Sequence, residues 1–269
     1  MVRKIKRPRI AFFGHTSCKG CFFEFLILEN KILELLKVAD IVHFELLKEY
    51  NEEGPFDITF MDGAVSTVEE VDILSKIRED SKFLIAFGTC ACWGGIPSIK
   101  NYVEDLSVAY PKPQTQKTID ALPIDQYVKV DYYLRGCPIS KEECLEVIKD
   151  LLVGKTPREK DYCVCVECKL RETRCLFEDG KVCLGPVTYA GCDAPCPTIR
   201  ASCDGCRGPL PDGNIGQEIK LLTEHGISND DIKRMFRKYA GPAEKFKEVK
   251  INDSSHVRNK KPNKGRSTR

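Results

Sequence analysis

The chain has 269 residues, 42% hydrophobic and 30% charged, which is enough apolar content for a buried core and argues against disorder throughout. Lys and Arg number 42 against 40 Asp and Glu, but six of the basic residues fall in Ser254–Arg269, which holds no acid. The rest is therefore mildly acidic, and the end reads as a solvated basic tail with no nucleic-acid role. No apolar run approaches the ~20 residues of a membrane helix. The opening MVRKIKRPRIAFFGHTSCKGC has no long apolar stretch and no small-residue cleavage site, so no membrane insertion is expected and the cytoplasm is the expected compartment.

In chain order, Arg9–Phe13 (RIAFF) is a short strand, and a loop with His15, Thr16, Ser17 and Gly20 follows it. Phe22, Phe25, Leu26, Ile32, Leu33 and Leu36 then form one helical stripe. Asp40–Phe44, Asp57–Met61, Phe83–Phe87 and Asp131–Leu134 are further strands, with helices at Val68–Arg78 and Lys141–Leu152. Strands alternating with helices predict an α/β domain over residues 1–157, a doubly wound parallel sheet of flavodoxin-like order. From Pro157 the composition changes, and Cys163–Pro211 is rich in Gly, Pro and Cys without apolar periodicity. Residues 158–253 are expected to form a Cys-rich, mostly irregular domain that folds around metal, closed by helices at Asn214–His225 and Asp230–Tyr239. Ser228 suits the N-cap of the second helix. Residues 254–269 are the tail.

Fifteen cysteines stand beside four histidines, and nine of the fifteen lie between Cys163 and Cys206. The number is odd and the expected compartment reducing, so a disulfide framework is a poor account. Abundant thiolate with scarce imidazole points to four-cysteine zinc sites or iron–sulfur clusters. Cys18 and Cys21 follow the first strand, Cys90 follows Phe83–Phe87, and Cys137 follows Asp131–Leu134. All four therefore sit past the carboxyl ends of parallel strands, where open α/β sheets gather their sites. They suffice for one [4Fe–4S] cluster, whereas a lone redox C-x-x-C would leave Cys90 and Cys137 at strand ends by chance. Asp62 and Gly63 should border the same crevice.

The second group reads C-x2-C-x6-C-x7-C-x8-C-x3-C-x6-C-x2-C over Cys165, Cys168, Cys175, Cys183, Cys192, Cys196, Cys203 and Cys206. Eight thiolates fill two [4Fe–4S] clusters, and on spacing alone they fill two zinc sites equally well. Cys92, Cys144 and Cys163 are left over. Cys144 reads as a core thiol, and C-V-C-V-E-C offers Cys163 or Cys165 for one position, with Cys165 preferred because it makes C-x2-C with Cys168. Gly154-Lys155-Thr156 lacks the glycine five residues earlier that a phosphate loop needs, and no G-x-G-x-x-G is present.

From about Ile10 to Pro209 the sequence resembles the small, electron-transferring subunits of [NiFe] hydrogenases. The resemblance is carried by SCKGC, MDGAVST, GTCACWGG, RGCP, CLGPVTYAGCDAPCP and SCDGCRGP. The last two blocks look like the cytosolic group, which includes the F420-reducing, methyl-viologen-reducing and sulfhydrogenase enzymes, the sulfhydrogenase delta subunits nearest among them. The resemblance implies three [4Fe–4S] clusters: proximal on Cys18, Cys21, Cys90 and Cys137, distal-type on Cys165, Cys168, Cys175 and Cys183, and medial on Cys192, Cys196, Cys203 and Cys206. It implies a large subunit bearing the nickel–iron site and a flavin- or iron–sulfur-containing electron-transfer partner. Cys165 stands where exported relatives have a histidine ligand, and Cys196 where they have a proline. The second change should turn a medial [3Fe–4S] centre into a [4Fe–4S] one. Ser17 replaces an acidic residue before the first cysteine, and Asp62 is expected beside the proximal cluster, where four cysteines already suffice. Quinone-reducing subunits of the respiratory complex I type share the first domain, but they usually carry adjacent cysteines in the first motif and lack the eight-cysteine segment. A zinc-stabilised interaction module without redox role is the alternative from another class.

Overall fold

The computed structural model describes residues 7–104 and 117–247; the predicted tail lies outside them. Seven strands are β1 (Arg9–Gly14), β2 (Asp40–Phe44), β3 (Ile58–Asp62), β4 (Val65–Thr67), β5 (Leu84–Phe87), β6 (Thr118–Leu122) and β7 (Tyr132–Leu134). Five of them form one parallel sheet in the order β2-β1-β3-β5-β7. With β4 and β6 set aside, that is the flavodoxin-like order. Because β1, β3, β5 and β7 are consecutive neighbours, their carboxyl ends form one continuous edge.

The sheet is seeded by phenylalanine. Phe12 on β1 stacks on Phe60 at 4.7 Å and on Phe44 at 4.6 Å, and Phe25 closes over it at 4.7 Å. Rings at these separations add to the burial of their large apolar area, and Phe22 and Phe87 complete the same cluster. The predicted single stripe after β1 is two helices, α1 (Gly20–Leu26) and α2 (Asn30–Leu35). Glu29, at φ 43°, breaks them, so Phe22 and Phe25 stay buried while Leu33 and Leu36 are exposed. Helix α3 (Val68–Asp80) opens with a capping box from Thr67 and Glu70, and a short antiparallel pair, β4 with β6, lies beside it.

The remaining helices are α4 (Thr89–Trp93), α5 (Lys141–Leu152), α6 (Val164–Leu170), α7 (Pro195–Thr198), α8 (Ile215–Glu224), α9 (Asn229–Ala240) and α10 (Glu244–Lys247). Ser228 accepts the Asp231 N–H at 3.2 Å, as its N-cap position requires. The Cys-rich stretch has a small apolar cluster of Val164, Leu176, Ala194, Cys183 and Cys203. Its larger support comes from α8 and α9, whose Leu222, Ile232 and Phe236 cover Leu184 and Val187. Trp93, just past Cys90, also packs there, and its Nε1–H donates to the Arg207 carbonyl at 3.0 Å. Among the described residues no helix is long and apolar enough to cross a membrane.

Candidate metal centres

Cys18 and Cys21 sit at the start of α1, Cys90 in the first turn of α4, and Cys137 three residues past β7, all along the carboxyl edge of the sheet. The structure draws these four together. Burial raises the Cys21, Cys90 and Cys137 thiols, Cys90 to about 12, and the members of the set push one another further in the same direction. Gly88 (φ +86°) makes room for them, since a Cβ there would lie well inside 3.0 Å of the Cys21 sulfur. Main-chain N–H groups of Gly20, Ile139 and Ile96 face the sulfurs of Cys18, Cys21 and Cys90. Cys18 alone of the four is exposed.

Asp62, the last residue of β3, is 1% exposed and lies among these thiols. Its Oδ2 accepts the Ser17 hydroxyl at 2.7 Å. Burial raises its carboxyl, opposed by the Ser17 hydrogen bond and by the Lys19 charge. Ser17 thus holds a carboxylate of the neighbouring strand beside these thiols.

Cys165 and Cys168 project from one face of α6, and with Cys175 and Cys183 they line a single cleft walled by Val164, Leu176 and Phe177. Burial raises Cys165 to about 12, with Cys163, Cys183 and Cys168 adding to it. Cys163 is the N-cap residue of α6 and does not line that cleft. Cys206 raises both Cys192 and Cys203, Cys192 adds to Cys203, and Cys206 itself feels Cys137 and Cys196, the latter exposed on α7. Burial takes Cys192 to about 11. N–H groups of Ala194 and Gly205 face the sulfurs of Cys192 and Cys203. Cys92 is fully buried with its sulfur toward the carbonyls of Ala86 and Leu134, and Cys144 is fully buried in the sheet core.

Among the described residues no three or more His, Cys, Asp or Glu side chains close on one point tightly enough to hold a single ion. The sulfurs of the Cys165 set instead border a cleft, as the ligands of a four-iron cubane do. Left as bare thiolates, each crowded set would repel itself in a low-dielectric interior. A cationic core, with main-chain N–H groups directed at the sulfurs, removes that conflict. The donor sets therefore fit iron–sulfur clusters.

Four side chains at these loops carry no signature in the cysteine spacing. Glu167, inside C-V-C-V-E-C, accepts the N–H groups of Gly191 and Asp193, both at 2.8 Å, and so clasps the loop around Cys192. Thr89 donates its hydroxyl to the Cys206 carbonyl and accepts the Gly136 N–H at 3.2 Å. Arg207 and Glu143 form a buried ion pair at 2.9 Å. A charged residue inside or directly after a cysteine motif is the available signal for Glu167 and Arg207.

A parallel five-stranded sheet carrying cysteines along its carboxyl edge and a second Cys-rich layer against it defines an α/β metalloprotein of the hydrogenase small-subunit type. The family model described as NADH ubiquinone oxidoreductase, 20 Kd subunit, matches residues 18–151. Sulfhydrogenase 2 subunit delta of Pyrococcus furiosus is 36% identical over 239 residues, covering 86% of this chain and 99% of its own. A vhu subunit of the F420-non-reducing hydrogenase of Methanocaldococcus jannaschii is 34% identical over 227 residues, 71% of this chain and 78% of its own. A chain in the crystal structure of an NAD+-reducing [NiFe]-hydrogenase in the H2-reduced state superposes with a TM-score of 0.53 at 28% identity, over 57% of this chain and 95% of that one. The chain belongs to the [NiFe] hydrogenase small-subunit family, alongside the sulfhydrogenase delta subunit and its F420-non-reducing hydrogenase counterparts, and is an oxidoreductase subunit.

Proposed function

We propose that this chain is the electron-transfer subunit of a cytoplasmic [NiFe] hydrogenase complex. It would carry electrons through three [4Fe–4S] clusters between the nickel–iron site of a large subunit and a flavin- or iron–sulfur-containing partner subunit. Cys18, Cys21, Cys90 and Cys137 hold the proximal cluster within residues 1–157. Cys192, Cys196, Cys203 and Cys206 hold the medial one, and Cys165, Cys168, Cys175 and Cys183 the distal-type one, within 158–253. When bound, such clusters supply one-electron storage sites whose potentials depend on charge, hydrogen bonds to sulfur and exposure. The chain's own residues space them, keep water from the inner sulfurs and direct N–H groups at them. No side chain here serves as nucleophile or general base, so hydrogen chemistry belongs to the large subunit.

The observation that carries this reading is the serial contact of the three cysteine sets. The Cys137 N–H faces the Cys206 sulfur, and the Cys203 N–H donates to the Cys183 sulfur at 3.4 Å. The match to the 20 Kd subunit ends at residue 151, ahead of the eight cysteines from Cys165 to Cys206, which favours the hydrogenase reading over a quinone-reducing one. Iron, acid-labile sulfide and zinc, measured on chain purified without oxygen, test the proposal. About twelve iron and about twelve sulfide per chain with no zinc are expected. About four iron with two zinc would remove the relay, and zinc alone would remove electron transfer altogether.

A further inference from the structure

Arg207 immediately follows Cys206, and its guanidinium is almost wholly buried. Nε donates to the Ala190 carbonyl at 2.6 Å, Nη1 to the Arg135 carbonyl at 2.5 Å, and Nη2 to Glu143 Oε1 at 2.9 Å. Glu143 comes from α5, within the sheet domain. The pair lies flat against the main chain at Gly191 (φ +117°), where a Cβ would fall inside 3.0 Å of both Arg207 Nη2 and Glu143 Oε1. One side of the pair thus touches the residue before Cys192, and the backbone on the other side leads directly from Cys206. The guanidinium charge reaches both sulfurs.

Stability alone does not account for this arrangement. Buried ion pairs are commonly replaceable by well-packed apolar groups at no loss, and Glu143 Oε2 is buried with no hydrogen-bond partner. The surrounding charges are Lys160, Arg135, itself paired with Glu159 at 3.0 Å, and the Glu167 carboxylate bonded to the Cys192 loop. Electron uptake by a cluster on four thiolates adds one negative charge to a low-dielectric site. A fixed cation beside it favours the reduced state, and a fixed anion disfavours it.

We propose that Arg207 and Glu143 are a positioning pair whose opposed charges set the reduction potential of the medial cluster. The proposal rests on the reading that Cys192, Cys196, Cys203 and Cys206 hold that cluster, and the electron concerned is one delivered by the hydrogenase reaction of the complex.

EPR-monitored redox titration of the whole complex tests it, with wild type, Arg207→Met, Arg207→Lys and Glu143→Gln compared and iron counted in each. Arg207→Met should shift the medial midpoint downward, Glu143→Gln should shift it upward, and Arg207→Lys should stay near wild type. The proximal and distal-type midpoints should move less. A purely structural clamp is broken by either substitution, so it would move both variants the same way or not at all, and that result overturns the proposal. If Arg207→Met loses iron, Glu143→Gln decides alone, because it keeps the guanidinium: an upward shift supports the pair and no shift overturns it. A wild-type complex with no cluster on the Cys192 set fails the ligand reading itself, and its low iron count distinguishes that failure from an absent shift.

Discussion

The main-chain N–H of Cys203 donates to the sulfur of Cys183 at 3.4 Å, so a residue of the proposed medial set is hydrogen-bonded to a proposed ligand of the next. The Cys137 N–H stands in the same relation to Cys206. Both connections of the medial set pass through the short C-x2-C segment Cys203–Cys206, with one cysteine facing each neighbour. The medial position proposed for that set thus rests on the fold of four residues.

Thr89 reinforces the Cys137–Cys206 connection from the side, tying the loop of Cys90 to Gly136 and to the Cys206 carbonyl. Thr89→Val keeps the shape and leaves a buried N–H and a buried carbonyl without that partner. The expected cost is about 1–3 kcal/mol per group, read as a lower denaturant midpoint of the loaded protein. Iron content should stay near about twelve per chain, since no ligand is touched.

Gly88→Ala should act oppositely, with a small change in composition and a large loss of metal. The new methyl group would collide with the Cys21 sulfur at a backbone conformation that alanine disfavours. A loss of about four iron per chain is expected, with the EPR signals of the other two clusters retained.

Cys196→Pro tests the fourth medial ligand. The position lies in the first turn of α7, after Pro195, where proline is tolerated. The chain should fold, hold about eleven iron instead of about twelve, and show the EPR signal of a three-iron centre when oxidised. An unchanged cluster type would remove Cys196 from the ligand set.

Glu167→Ala should loosen the Cys192 loop. Asp193 and Ala194 both adopt positive φ, a strained pair that the clasp on the N–H groups of Gly191 and Asp193 helps to hold. Two orphaned N–H groups cost about 1–3 kcal/mol each. The medial signal should weaken before the others during chelator challenge, and Glu167→Gln, which keeps one acceptor oxygen, should fall between Ala and wild type.

Glu218 gives a pH signature. It is buried beside the C-terminal core, one carboxyl oxygen has no partner, and burial raises its pKa to about 7. A carboxyl raised in the folded state makes that state bind protons more readily than the unfolded one. Its contribution is whole below the ordinary carboxylate range and is lost as pH rises toward 7. Unfolding midpoints between pH 5 and pH 8 should therefore fall in wild type and stay flatter in Glu218→Gln.

The five parallel strands were legible because each is a short apolar run whose ends lie within a residue of the predicted limits. The parallel order followed from strand–helix alternation, and the site at the carboxyl edge followed from that order. The break at Glu29 was hidden, because the apolar spacing continues across it. The β4–β6 pair was hidden as well, since Val65–Thr67 is three residues long and Thr118–Leu122 fully buries only Ala121. Arg207 and Glu143 are 64 residues apart in sequence, and no local pattern announces an ion pair of that range. Strand order brought Cys18, Cys21, Cys90 and Cys137 together, but spacing alone could not divide the eight later cysteines into sets or name the side chains beside them.

The phenylalanine cluster on Phe12 lies wholly within the first domain and uses none of the proposed ligands except the flank of Cys21. Its cohesion is independent of iron, whereas Val164, Leu176 and Ala194 pack mainly against cysteine side chains, with Phe177 the one large apolar neighbour in their cluster. A chain made under iron starvation would hold its sheet and the Leu184–Val187 segment under α8 and α9, and leave the cysteine loops on either side of it loose, exposed to proteases and without a partner-ready surface. Iron supply would then act as a quality check on assembly, passing only chains whose second half has closed.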